Sequence, residues 1–249
     1  MPCIINHNVT CIILVTGASD GIGREAALTY ARYSASVILL GRNDDKLRTV
    51  AQEIEREGGI PPRWFTLDLL TCTPQACQQL AQQISMHYPR LDGVLHNAGL
   101  LGDICPMEEQ KPEVWQQVMQ VNVNGTFMLT QALLPLLLRS ESGSLVFTSS
   151  SVGRQGRANW GAYAVSKFAT EGMMQVLADE YQSRHLRVNC INPGGTRTGM
   201  HASAFPTEDP LKPPADIMPA YLWLMGDDSR RKTGMTFDAQ PGRKPGIAQ

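Results

Sequence analysis

Short apolar runs alternate along this chain with longer segments whose apolar residues recur at helical spacing. The runs fall at residues 12–15, 36–40, 63–67, 93–96, 144–148, 186–191 and 235–238. Helical spacing falls at residues 22–33, 44–57, 74–88, 112–138, 161–182 and 215–225. Strand–helix alternation repeated this often predicts an α/β fold, a parallel sheet with helices on both faces. Runs such as Ile12-Ile13-Leu14-Val15 have no polar face, as expected of strands covered on both sides. No internal repeat or long linker breaks the alternation, so one domain over residues 1–249 is expected. Two segments lack a period. Residues 199–214 are rich in Pro, Ala, Ser and acidic side chains and read as a lid or binding loop. Residues 240–249 read as an extended tail.

Composition narrows the function classes. The net charge is -1 over 249 residues, which argues against a nucleic-acid binder, whose phosphate contacts need a basic patch. The six cysteines form no CxxC and no zinc-finger spacing, so no metal site is expected and a reducing compartment fits. The first apolar run has no basic segment before it and no small-residue cleavage site after it. The longest apolar stretch, from Leu129 to Leu138, is broken by Thr130, Gln131 and Pro135. It reads as a buried helix face kinked at Pro135, too short to span a membrane. A soluble cytoplasmic protein is expected.

Three places carry chemistry. The first apolar run enters Thr16-Gly17-Ala18-Ser19-Asp20-Gly21-Ile22-Gly23 and then a helix opens. A glycine turn there lets backbone N–H groups and the helix N-terminus approach a phosphate. The spacing is GxxxGxG rather than GxGxxG, and a plain tight turn is the alternative. The second strand ends Leu40-Gly41-Arg42-Asn43. An acidic residue at that point would accept from the ribose 2′-OH of NAD, whereas an Arg accommodates the 2′-phosphate of NADP. The acidic position reads as Gly41, and Arg42 points to NADP(H) over NAD(H); otherwise it is a solvated surface charge. Finally, Tyr163 and Lys167 lie four apart on a predicted helix and so share a face. A Lys beside a phenol favours the phenolate, tuning it as a proton donor and acceptor. Ser149, Ser150 and Ser151 close the strand at 144–148, at the sheet edge where ligands bind.

Taken together, these elements resemble the short-chain dehydrogenase/reductase family over residues 12–237. That family's TGxxxGxG matches residues 16–23, its NAG element matches Asn97-Ala98-Gly99, and its PGxxxT matches residues 193–198. The resemblance implies a doubly wound Rossmann-type fold with a seven-stranded, mainly parallel sheet. It implies hydride transfer between NADP(H) and a small-molecule carbonyl/alcohol pair, with an NAD-preferring dehydrogenase as the alternative. By the same resemblance Tyr163 is the acid/base, and Lys167 lowers its pKa and holds the nicotinamide ribose. Ser150 binds the substrate carbonyl, and Asn122 holds a proton-relaying water. Cofactor contacts are implied at Gly17, Ser19, Asp20, Gly21, Ile22, Gly23, Arg42, Asp68 and Leu69. Further ones fall at Asn97, Ala98, Gly99, Tyr163, Lys167, Pro193, Gly194, Thr196 and Thr198, with Asp68 on the adenine and Thr196 near the carboxamide. Ser149 and Ser151 rival Ser150, and Asn124 rivals Asn122; the family's spacing favours Ser150 and Asn122.

The family also implies a homodimer or homotetramer built through the helices at 112–138 and 161–182. The chain departs from the family pattern in places. His96 replaces an Asn and reads as a buried histidine satisfied by backbone. Asp238-Ala239-Gln240-Pro241-Gly242 replaces a DGG turn, which puts assembly through that region in doubt. Trp160 and Phe205 read as pocket-lining or merely packed aromatics. A non-catalytic NADP(H)-binding scaffold is the reading from another class, disfavoured because Ser150, Tyr163 and Lys167 are all present.

Overall fold

The computed structural model describes residues 10–204 and 212–240. In chain order the first half forms β1 (Ile12–Thr16), α1 (Gly21–Arg32), β2 (Ser36–Gly41), α2 (Asp44–Arg56), β3 (Arg63–Thr66), α3 (Pro74–Ser85) and β4 (Gly93–His96). Then come α4 (Pro112–Met119), α5 (Thr126–Leu137), β5 (Gly143–Thr148) and α6 (Gly161–Glu180). The last elements are β6 (Leu186–Asn192), α7 (Gly199–Ala204), α8 (Met218–Met225) and β7 (Thr236–Asp238). The strands make one seven-stranded sheet in the order β3-β2-β1-β4-β5-β6-β7. Every pair is parallel. This is a doubly wound Rossmann-type sheet, parallel throughout.

Alternation along each strand explains the apolar runs. Ile13 and Val15 of β1 join a buried cluster with Leu28 and Tyr30 of α1, Leu47 and Ile54 of α2, and Tyr221 and Leu224 of α8. Ile12 and Leu14 turn the other way, toward Leu80 and Ile84 of α3, Leu129 and Leu133 of α5, and Met174 of α6. Successive side chains point to opposite faces, so a strand with helices on both sides has no position left for a polar residue. Local signals start the helices. Asp20, Asn43 and Thr73 cap α1, α2 and α3, each accepting from a first-turn backbone N–H.

The structure corrects two expectations. The helical stretch at 112–138 is not uniform: residues Gln120–Gly125, between α4 and α5, form a π-helical turn. Gly125 there packs against the strand side, where an added Cβ would lie 2.7 Å from the Leu69 carbonyl oxygen. Pro135 lies inside α5, as the sequence places it, and the helix runs on to Leu137. The aperiodic stretch at 199–214 opens with α7, while residues 205–211, including Phe205, lie outside the described residues. The expected tail lies outside them too, except for Gln240, which is buried.

Gly23 of α1 packs closely against the turn after β1. A Cβ there would sit 2.3 Å from the Gly17 carbonyl oxygen and 2.6 Å from Asn97 Nδ2. Backbone on one side and a held side chain on the other leave little room to relax. Gly23→Ala is expected to cost about 1–3 kcal/mol, the range for overpacking, and so to lower Tm by several degrees. Gly156→Ala is the control, since its Cβ would meet nothing within 4 Å. Equal melting temperatures for the two variants would contradict this packing role.

Candidate active site

The sheet order reverses direction between β1 and β4, so the chain leaves these strands toward opposite faces and a crevice opens at their carboxyl ends. A cleft of about 1050 Å³ lies there. Its walls come from the ends of β1, β2, β4, β5 and β6: Thr16, Gly41, Asn97, Ser149 and Asn192. Of the residues predicted to bind a cofactor, all but Gly23 line it. Gly23 instead acts through packing, holding the turn in place from behind.

The turn after β1 is built from left-handed glycines, Gly17 at φ 66° and Gly21 at φ 53°, which side-chain-bearing residues rarely adopt. Thr16 Oγ1 accepts from the backbone N–H groups of Asn97 and Ala98, both at 3.0 Å, which locks the end of β1 to the turn after β4. At the far end Arg42 is exposed, lines the cleft and makes no hydrogen bond or ion pair with any described residue. Its neighbour Asn43 is committed as the cap of α2, accepting from Lys46 N–H at 2.9 Å. Asp68, which also lines the cleft, accepts from Leu70 N–H at 3.0 Å.

Tyr163, Lys167 and Ser150 come together at the other end. Tyr163 and Lys167 occupy successive turns of α6, and the ammonium lies 5.4 Å from the phenol ring centroid. Tyr163 keeps part of its surface open to the cleft, yet burial pushes its phenol up to about 12, while a hydrogen bond with Ser150 pulls it back. Lys167 is buried and donates to the Thr148 carbonyl at 2.7 Å; desolvation brings it down to about 8. Desolvation, the largest cause at each group, disfavours the charged form of both. The rival serines are separated by their partners. Ser149 is buried and donates to Glu171 at 2.5 Å, and Ser151 opens a 3-10 turn that Ser150 caps. Trp160 does both things expected of it, lining the cleft and packing on Tyr163 at 5.8 Å between ring centroids.

Asn122 stands behind the cleft, in the π turn. Its Nδ2 donates to the Leu100 carbonyl at 2.8 Å and to Ser166 Oγ at 3.0 Å, and its Oδ1 accepts from Leu100 N–H at 2.7 Å. The side chain braces the segment after β4. Asn124 is exposed and bonds only Gln120 among the described residues. His96 is buried, but its partner is a side chain and not backbone: Nε2 meets Thr130 Oγ1 at 2.9 Å and the ring stacks on Phe147. Burial drives its pKa down to about 3, so it is neutral.

Two residues escaped the sequence reading. Gln240 Nε2 donates to the carbonyls of Pro193 and Gly195, both at 2.9 Å, and so clamps the loop that carries Thr196. Arg157 lines the cleft near Tyr163. No motif marks either one, because both depend on contacts made only in the fold.

The family model for short chain dehydrogenases matches residues 11–209. The chain belongs to the short-chain dehydrogenase family. It is 83% identical to the uncharacterized oxidoreductase YciK of Escherichia coli (strain K12) over 240 residues, covering 96% of this chain and 95% of that protein. A short chain dehydrogenase from Shigella flexneri 2a str. 301, solved in complex with NADP, superposes with a TM-score of 0.93 at 79% identity. That match covers 97% of this chain and 100% of the other. A short chain dehydrogenase from Escherichia coli CFT073, complexed with NADPH, gives 0.93 at 80% identity, covering 96% and 99%. Among the described residues, no helix is long and apolar enough to cross a membrane.

Proposed function

We propose that this protein is an NADP(H)-dependent oxidoreductase that interconverts a small-molecule carbonyl and its alcohol. The observation that carries the reading is a single cleft lined by Ser150, Tyr163 and Lys167 at one end and, at the other, by Arg42, which pairs with no described residue. Highly similar proteins solved with NADP and NADPH support it. The cleft suits such a cofactor: glycine-turn backbone for phosphates, and a free guanidinium where a 2′-phosphate would lie.

Bound NADPH supplies a hydride to the carbonyl carbon. Tyr163 gives its phenolic proton to the carbonyl oxygen as the π electrons move there, and Ser150 donates a hydrogen bond to the same oxygen. A phenol held near 12 is protonated at every working pH, so the site is poised as an acid for reduction. Lys167 offers positive charge to the phenolate that remains. Asn122 contributes by position, fixing Leu100 and, through Ser166, α6.

The test is loss of NADPH absorbance with a panel of aldehydes and ketones. A non-catalytic binder would hold NADPH and leave every member of the panel untouched. Lys167 adds a pH signature. As a base depressed to about 8, it is charged below that pH and loses its charge above it. NADPH affinity, read by cofactor fluorescence, is expected to weaken as pH rises through about 8 and to lose this step in Lys167→Met. The same profile in both proteins would remove Lys167 from the cofactor site.

Assembly belongs to the same reading. Val165 (40% exposed), Phe168 (46%) and Val176 (58%) form an apolar stripe on α6, and Phe127 (51%) is exposed on α5. Such a stripe fits a second copy of the chain, giving a homodimer or homotetramer through these helices. Phe168→Asp is expected to reduce the mass measured by light scattering to that of one chain; an unchanged mass would place the interface elsewhere.

A further inference from the structure

We propose that the carbonyl substrate carries an oxyanion, a carboxylate or phosphate ester, which is seated on Arg157; this rests on the hydride-transfer reading of the cleft. Arg157 lies between the Ser151–Gly153 turn and α6 and lines the cleft with Trp160, Tyr163, Leu101 and Met200. It is half-buried, and its Nε is shielded from water without any hydrogen-bond partner. Nor does its guanidinium form an ion pair with any described residue.

Other arginines show how unusual this is. Arg154, three residues earlier, pairs with Asp238 at 2.7 Å. Arg187, which is also buried, is satisfied by the carbonyls of Ser142, Met225 and Gly226. The acids lining the cleft are engaged elsewhere: Asp20 caps α1, Asp68 binds Leu70 N–H, and Asp238 takes Arg154 and Asn192. A desolvated donor left unmade is costly. Two oxygens of a carboxylate or phosphate group would satisfy Nε and a terminal nitrogen together, in the fork-to-fork geometry Arg favours. The neighbouring Leu101, Trp160 and Met200 are apolar, which strengthens such a pair. A neutral carbonyl compound would leave the guanidinium unmatched, so the residue selects as well as binds.

Two measurements test this on the full-length protein loaded with NADPH. The first is binding of benzoate, phenyl phosphate and benzamide, read by quenching of NADPH fluorescence. At least one of the two anions should bind tighter than the amide by roughly 10- to 150-fold, as for a charge-assisted bond. Arg157→Gln should erase that margin while leaving benzamide and NADPH binding within about twofold; Arg157→Lys should keep part of it. A phosphate preferred over the carboxylate identifies the oxyanion as a phosphate ester, and the reverse a carboxylate. Equal binding of anions and amide to the wild type, or an equal loss of all three in Arg157→Gln, would overturn the proposal. The second is the rate with para- and meta-carboxybenzaldehyde against their methyl esters. Aldehyde reduction alongside anion binding indifferent to Arg157 sinks the oxyanion site alone. Anion binding through Arg157 with no aldehyde or ketone reduced sinks the hydride-transfer reading and leaves the anion site standing.

Discussion

Tyr163→Phe is expected to leave NADPH binding within about twofold of the wild type and to lower kcat by roughly 100- to 10,000-fold, the contribution of a positioned acid. The ring stays, so the packing against Trp160 is kept, and only the hydroxyl and its interaction with Ser150 are lost. That hydroxyl is desolvated, which makes its removal mild for the fold; Tm should move by only a few degrees. The measurement pairs steady-state rates with a fluorescence titration of the cofactor. A variant that folds, binds NADPH and retains more than a tenth of the wild-type kcat would remove Tyr163 from the proton-transfer role. Loss of NADPH binding together with rate would instead mark Tyr163 as part of the cofactor site.

The strands were legible in the sequence because a sheet covered on both faces leaves its mark in every residue of the run. Ile12 through Val15 show this, with alternate side chains in the two buried clusters. The π turn was not legible. Gln120–Gly125 continues the helical spacing on either side, and the close approach of Gly125 to the Leu69 carbonyl is a contact across 56 positions. No local pattern encodes that distance. Asn122 could thus be found by motif, but not what its amide holds.

Tyr163, Lys167 and Ser150 were legible through their spacing and order, since the strand-end serines and the helix face put them at one edge of the sheet. Their ionisation was not. A sequence shows that a Lys neighbours a phenol; it does not show how far each is desolvated, and desolvation moves them in opposite directions, to about 8 and about 12. Gln240 failed for a different reason. It falls where the family pattern breaks, and its worth lies in two carbonyls 45 and 47 positions away.

Cofactor choice is expected to turn on Arg42. If its guanidinium meets the 2′-phosphate, Arg42→Ala should weaken NADPH by roughly 10- to 150-fold, for a charge-assisted bond of about 1.5–3 kcal/mol, and leave NADH nearly unchanged. The residue is exposed and makes no hydrogen bond or ion pair with any described residue, so stability should hold. Adding Gly41→Asp should go further. It supplies an acceptor for the ribose 2′-OH and a charge that repels the phosphate, so selectivity should reverse. The space allows it: a Cβ at Gly41 lies 3.3 Å from Leu47 Cδ2, the flexible end of a side chain, and 3.6 Å from Ser19 Oγ. Dissociation constants for both cofactors, on wild type and the two variants at fixed ionic strength, decide the matter. Equal wild-type affinities, or an Arg42→Ala loss shared by NADPH and NADH, would reduce Arg42 to a solvated charge. The next candidate would then have to be sought away from Asn43, whose side chain is already spent on capping α2.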